Sequence, residues 1–390
     1  MSKRNLGGLF ISFSLLLASA LAVHAAPSKE APPGDPAKGK VIFNHFCAPC
    51  HGLNGKGNGI NAVNLDPAPA DLTSSQAAKL SDDEIMETIQ KGGGEVGLSI
   101  QMPPWGRSIA ESQIRHIIAY IRTLQVAAGT RKAEAKSDEA GSQGPKAVRF
   151  ASMETGGKAD CPICHKKVAD HRQLAPNIGH EGSKLHRDWL FAFLKSPHRI
   201  RPIGFIPLSK TMMPNFQFSD EEASALVEYL MSLKDAGVSK SEMGTLRMTP
   251  EQIEQGRTLF TDQFACDACH RIGDKGGVIG PNLKEASKRL RPEWIFHWLK
   301  NPQAVRPDSP MPNFGVSNAQ ARALIAFILS SGEGPAPATD DRPLSPQLVE
   351  KGKTIVEKKN CTFCHVLDTY NSNTRRRMVT YDVLVQTTER

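Results

Sequence analysis

The chain is short of several things, and each shortage excludes something. Aromatic side chains make up 6% of its 390 residues, with 4 Trp and 4 Tyr. Its one run of consecutive basic residues that stands out, Arg375–Arg377, has no interleaved aromatics of the kind that stack nucleic-acid bases. Beyond residue 23 no apolar run approaches 18 residues, mean hydropathy is −0.34 and 23% of residues are charged, which rules out a polytopic membrane protein. Gly (32) and Pro (27) fall short of the fraction that marks low-complexity chains. Eight cysteines are too few to staple a chain of this length, so their spacing must decide their use. The length itself predicts two to four domains.

What is present begins with an export signal over residues 1–25. Lys3 and Arg4 precede an apolar or small stretch, Leu6–Val23, and Val23-His24-Ala25 offers small residues for cleavage. The competing reading is a retained membrane anchor. Either way the bulk of the chain is expected outside the cytoplasm, in the periplasm.

The cysteines form four pairs, each spaced C-x-x-C and each followed at once by histidine. Cys47 and Cys50 precede His51, Cys161 and Cys164 precede His165, Cys266 and Cys269 precede His270, and Cys361 and Cys364 precede His365. C-x-x-C-H is the haem c attachment motif: the thiols add to the porphyrin and the next residue's imidazole reaches the iron. Disulfides, zinc ribbons and thioredoxin-type pairs require no histidine there. With 12 histidines in 390 residues, chance would produce four in four about once in a million. The spacing therefore predicts haem c at the first three motifs and a fourth at the last.

A histidine-ligated haem needs a second ligand, and methionine suits electron transfer. Met102-Pro103, Met213-Pro214 and Met311-Pro312 follow the first three motif histidines by 51, 48 and 41 residues. Proline after the methionine stiffens an extended loop that can present the thioether. Met213 is preferred to Met212 because Met213-Pro214-Asn215-Phe216 matches Met311-Pro312-Asn313-Phe314. The metal ligands predicted are thus His51, Met102, His165, Met213, His270, Met311 and His365.

An internal repeat supports this. Residues 161–202 align without a gap on 266–307 at an offset of 105, sharing Pro176/Pro281, Trp189/Trp294 and Lys195/Lys300. Each of the first three units ends in an amphipathic helix pattern, over Glu111–Leu124, Ser219–Lys234 and Ser317–Ser331. Ser219 with Glu222 forms a capping box, and Gly332 stops the last. A leading helix precedes the cysteines in the first and third units, through Gly39–Phe43 and Gly256–Phe260, and is less clear in the second.

With these motifs the chain resembles class I c-type cytochromes, over residues 34–333 three times. The resemblance implies an all-α fold of tandem cytochrome c-like domains, each a few helices around a covalent haem c. It also implies a backbone carbonyl near a proline loop that accepts from the proximal histidine, at Pro176, Pro281 and, less closely matched, Pro69. The expected organisation is a signal at 1–25, domains at 30–128, 148–245 and 246–333, linkers at 129–147 and 334–343, and an incomplete fourth domain at 344–390.

The fourth site breaks the pattern. Gly352–Val356 starts another leading helix, yet Arg376 stands where a loop proline belongs, and the chain stops before a Met loop. Two accounts stay open: a truncated domain unable to close around its haem, or a terminal haem with an open or borrowed sixth ligand. Outside the motifs, His171, His180, His186 and His198 crowd the second unit but follow no ligand spacing; solvated or core positions are expected for them, and for His45 and His297.

The expected function is single-electron transfer between respiratory partners, with no catalytic residue. Other cytochromes, a quinol-oxidising complex or a terminal oxidase are the expected partners, nucleic acid is not, and a membrane contact requires a retained anchor. The alternatives are a haem peroxidase or reductase using an open fourth haem, and a subunit of a membrane oxidoreductase complex. The net charge of +8 falls to +6 without Lys3 and Arg4. Four ferric haems, at about −1 each, bring it to roughly +2.

Overall fold

The computed structural model describes residues 34–137, 176–200, 213–235, 237–306, 309–332, 342–363, 365 and 367. The signal at 1–25 lies outside the described residues. So does the whole second motif, Cys161, Cys164 and His165, and in the fourth motif so does Cys364. The fold is all-α. The longer helices are α1 (Pro36–Phe46), α2 (Asp82–Lys91), α3 (Glu111–Ser137), α4 (Arg187–Lys195), α5 (Asp220–Ser232), α6 (Pro250–Thr258), α7 (Pro292–Lys300), α8 (Asn318–Ser330) and α9 (Pro346–Lys358). Among the described residues the strands are two-residue pieces, β1 (Arg271–Ile272) and β2 (Lys275–Gly276), paired antiparallel.

Three helices start in one way. Asp35, Thr249 and Ser345 cap α1, α6 and α9 with their side chains, and each is followed by proline. Proline costs nothing there, because the first N–H of a helix has no internal partner. The closing helices α5 and α8 start with capping boxes, Ser219 with Glu222 and Ser317 with Gln320. A third box, Ser81 with Glu84, starts α2. Helix α3 continues to Ser137, past the predicted end at Leu124 and into the stretch read as a flexible linker. The alanine, arginine, lysine and glutamate of that stretch are strong helix formers, and this outweighs its polar, charge-mixed composition.

Leading and closing helices cross in pairs: α1 on α3, α6 on α8, and α9 on α5. Each crossing turns on a glycine. A Cβ on Gly39, Gly256 or Gly352 would lie 1.8, 2.0 or 2.1 Å from the carbonyl oxygen of His116, Ala323 or Ala225 respectively. It would also lie within 2.9 Å of the Cβ of Tyr120, Phe327 or Tyr229, the aromatic residue four positions further along each closing helix. Only glycine lets the backbones approach this closely.

The crossings organise three cores. The first gathers Ile42, Phe43, Ile114, Ile117 and Ile121, with Phe43 edge-on to Tyr120 at 5.3 Å. The third gathers Leu259, Phe260, Phe296, Leu324 and Ile325. The second gathers Leu190, Leu194, Leu226 and Leu230 with Ile355 and Val356 of α9. Each fully buried aliphatic or aromatic side chain contributes about 1.5–3 kcal/mol. The stretch 344–390, read from sequence as an incomplete unit of its own, thus lends its helix to the core of the 148–245 stretch.

No linker separates the second and third units, and they pack together. Leu185 and Leu290 form an antiparallel bridge. His186 N–H donates to the Arg289 carbonyl at 3.0 Å, and Arg291 N–H to the Lys184 carbonyl at 2.9 Å. The two bonds are repeat equivalents, since His186 and Lys184 stand 105 residues before Arg291 and Arg289. The flanking contacts reciprocate: Lys184 lies over the Trp294 ring (5.9 Å) and Arg289 over the Trp189 ring (5.8 Å). The two repeats therefore meet about a local two-fold, as identical subunits do in an isologous dimer.

Candidate haem-binding sites

In the first, third and fourth motifs the chain makes the same turn. The N–H of His51, His270 or His365 donates to the carbonyl of Cys47, Cys266 or Cys361, at 2.8, 2.9 and 2.9 Å. The residue before the first cysteine is left-handed in two of them, Ala265 (φ 45°) and Asn360 (φ 54°). Asparagine adopts this conformation more readily than alanine.

Each histidine is then held from its far side. Nδ1 of His51 bonds the Ala70 carbonyl at 3.1 Å, and Nδ1 of His270 bonds the Pro281 carbonyl at 3.0 Å. Nδ1 of His365 bonds the Pro176 carbonyl at 2.8 Å, across 189 residues. A neutral imidazole that donates from Nδ1 has its lone pair on Nε2, the atom a metal takes. Burial favours the neutral form of His51 and His365, lowering both below the usual histidine range. The loop proline expected at Pro281 is the acceptor itself, whereas in the first unit the acceptor is one residue beyond Pro69.

The methionines sit on the same three cores as the motif cysteines. Met102 packs with Cys47 on the first, Met311 with Cys266 on the third, and Met213 with Cys361 on the second. Met102 is fixed by its carbonyl, which accepts from Gly93 N–H at 2.8 Å, while Trp105 N–H donates to Ile89 at 2.9 Å. Met311 is held at both ends: Gln303 Nε2 donates to its carbonyl at 2.7 Å and Trp298 Nε1 to its sulfur at 2.8 Å. Lys195 and Lys300, repeat equivalents, donate to the carbonyls of Phe218 and Val316 just before the closing helices, at 2.7 and 2.6 Å.

The thiols suit haem attachment better than thiolate chemistry. Cys47, Cys50, Cys266 and Cys269 form no disulfide. Burial pushes Cys47 and Cys266 up to about 12 and raises Cys50 and Cys269 as well. Thiol exchange needs a stabilised thiolate, which this burial opposes. Neutral buried thiols beside a neutral imidazole and a thioether fit a haem c. The structure thus brings two predicted attachment cysteines together at the first and third motifs and places one, Cys361, at the fourth. Cys364 is outside the described residues, and so are Cys161 and Cys164 with the predicted ligand His165.

The first and third attachment segments adjoin. Asn61, fully buried, donates from Nδ2 to the Ala268 carbonyl at 2.7 Å and accepts at Oδ1 from Val278 N–H at 2.9 Å. Its Nδ2 also lies 3.9 Å from Cys50 Sγ. Ser108 Oγ accepts from Asn313 N–H at 2.8 Å, tying the two Met loops' surroundings together. No sequence signal marked Asn61 or Gln303.

The other histidines are structural neighbours. His180 stacks on Trp294 with centroids 4.8 Å apart, His198 meets Glu285 at 3.3 Å, and His45 lies edge-on to Phe46. His171 lies outside the described residues.

A C-x-x-C-H turn, a carbonyl-anchored histidine and a Met–Pro loop under crossed terminal helices define a haem c-binding cytochrome domain, and they recur along this chain. Residues 34–121 match the family profile of the cbb3-type cytochrome c oxidase subunit III, and residues 155–234 and 253–332 each match that of cytochrome c. The chain belongs to the cytochrome c family, as a multihaem c-type cytochrome with covalently bound haem c. It is similar to cytochrome c-554(547) of Halothiobacillus neapolitanus, 33% identical over 98 residues, covering 99% of that protein and 24% of this chain. It is also similar to the cbb3-type cytochrome c oxidase subunit FixP of Sinorhizobium medicae, 24% identical over 61% of this chain and 84% of that protein. The FixP subunit of Azorhizobium caulinodans is 34% identical over 30% of this chain and 39% of its own length. Among the described residues no helix is long and apolar enough to cross a membrane.

Proposed function

We propose that this c-type cytochrome is an exported relay that passes single electrons through His/Met-ligated haems to a membrane respiratory complex. One observation carries the reading: each of the three cores gathers one motif cysteine and one Met–Pro methionine. Haem c, when bound, supplies a one-electron Fe3+/Fe2+ couple. The residues do the rest. His51 with Met102 and His270 with Met311 would hold the haem iron of the first and third cores, and Met213 would do so at the second. Ala70 and Pro281 fix the imidazole planes, and the aliphatic cores keep water out, which limits reorganisation.

Asn61 makes the first and third attachment segments neighbours, which supports electron exchange between these two sites although the second unit lies between them in sequence. Resemblance to oxidase subunits supports a terminal oxidase or its complex as the partner, and Lys3, Arg4 and Leu6–Val23 support export. The test is the far-red methionine-to-iron charge-transfer band of the ferric protein. Met102→Ala and Met311→Ala are each expected to remove one share of it. A wild-type protein with covalent haem and no such band refutes the ligation.

A further inference from the structure

The second core holds a carbonyl, a methionine and a closing helix, and two motifs in the sequence could claim them. His165 precedes Pro176 by 11 residues, as His270 precedes Pro281. In the structure the Pro176 carbonyl is bonded by Nδ1 of His365. One carbonyl and one helix groove seat one motif at a time.

The fourth motif brings what the first and third have ahead of their cysteines. Its helix α9 starts with Ser345-Pro346, as α1 starts with Asp35-Pro36 and α6 with Thr249-Pro250. Gly352 makes the same close approach to a carbonyl and an aromatic Cβ as Gly39 and Gly256. Cys361 and Met213 pack on one core. The fit extends to polar contacts along α5: Ser345 N–H donates to Glu228 Oε2 at 2.9 Å, and Lys351 pairs with Glu221. Ahead of the second motif Pro145 stands at the register of Pro250, but the residue before it is Gly144, which has no side chain to cap with, and Ala151 stands where Gly256 stands in the third unit.

We propose that the fourth C-x-x-C-H, not the second, supplies the haem c that Met213 caps. The cytochrome domain is then discontinuous, built from residues 176–235 and 342–367. The fourth motif then borrows its sixth ligand from about 150 residues earlier. The inference rests on the His/Met reading above, and the two can fail separately.

The experiment compares two full-length holoproteins by the amplitude of the far-red band per chain. In the first, Cys361→Ala is combined with Cys364→Ala; it is expected to lose one third, and adding Met213→Ala to remove nothing more. In the second, Cys161→Ala is combined with Cys164→Ala; it is expected to keep the full amplitude, and adding Met213→Ala to remove one third. The shares from Met102 and Met311 report whether each variant still folds. Retention in the first protein or loss in the second overturns the proposal. A measurement on the unaltered holoprotein stands beside it: zero-length carbodiimide coupling should join Lys351 to Glu221 within one chain. Absence of that cross-linked peptide overturns the docking even where no band is seen, the outcome that refutes the ligation reading instead.

Discussion

Replacing Trp298 by phenylalanine isolates one hydrogen bond on one methionine. The indole N–H donates to Met311 Sδ at 2.8 Å, and phenylalanine keeps the aromatic body while removing the donor. The fold already accepts phenylalanine at this place, because Phe193 is the repeat equivalent 105 residues earlier. With Met311 on the iron, a donor on its sulfur draws electron density from the thioether and disfavours the ferric state. A neutral hydrogen bond is worth about 0.5–1.5 kcal/mol net, and it weakens as the sulfur gives its density to ferric iron. A difference of about 0.5–1 kcal/mol between oxidation states converts, at 59 mV per tenfold for one electron, to about 20–45 mV. Trp298→Phe should therefore lower the potential of one haem by that amount and leave the others in place. Spectroelectrochemical titration of wild type and variant measures it. No shift, an upward shift, or an equal shift in every haem refutes the reasoning.

Other expectations follow from buried polar groups. Asn61→Ala strands the Ala268 carbonyl and Val278 N–H; at about 1–3 kcal/mol per orphaned group, the contact between first and third units should loosen, read as faster amide exchange at Val278. Glu228→Ala leaves Arg187, almost fully buried, without its carboxylate partner. That should cost about 3–5 kcal/mol, seen as a lower denaturant midpoint and a lost Lys351–Glu221 cross-link. His180, stacked on Trp294, is held well below the usual histidine range by burial, with Lys184 and His297 adding. The unfolded chain binds this proton more readily than the folded one, so the contribution is complete above the unfolded value of about 6.5 and is lost as pH falls below it. The denaturant midpoint should drop between pH 7 and 5, and His180→Phe should flatten that drop.

The attachment motifs, the Met–Pro loops and the closing helices were legible because each is local. A C-x-x-C-H turn needs five residues, and the box of Ser219 with Glu222 needs four. The ends of α5 and α8 fall within a residue or two of expectation for this reason, and Ser81 with Glu84 carries the same signal at the start of α2. What was not legible is non-local. Nothing in 346–358 says which closing helix it crosses; the glycine pattern shows only that it crosses one. The bridge at Leu185 and Leu290 depends on two repeats meeting face to face, and the repeat itself says nothing of their orientation. Asn61 sits in a glycine-rich loop, and the third-unit groups it bonds, at Ala268 and Val278, are more than 200 residues away. The far end of α3 differs from expectation for another reason: a polar, charge-mixed stretch has the composition of a linker although its residues favour helix.

The central claim is that C-x-x-C-H motifs on carbonyl-anchored turns hold covalent haems throughout this chain. A pyridine haemochrome count on the purified, acid–acetone-extracted protein tests it most directly. Three or more haems per chain should remain attached after extraction; fewer than three contradict the account.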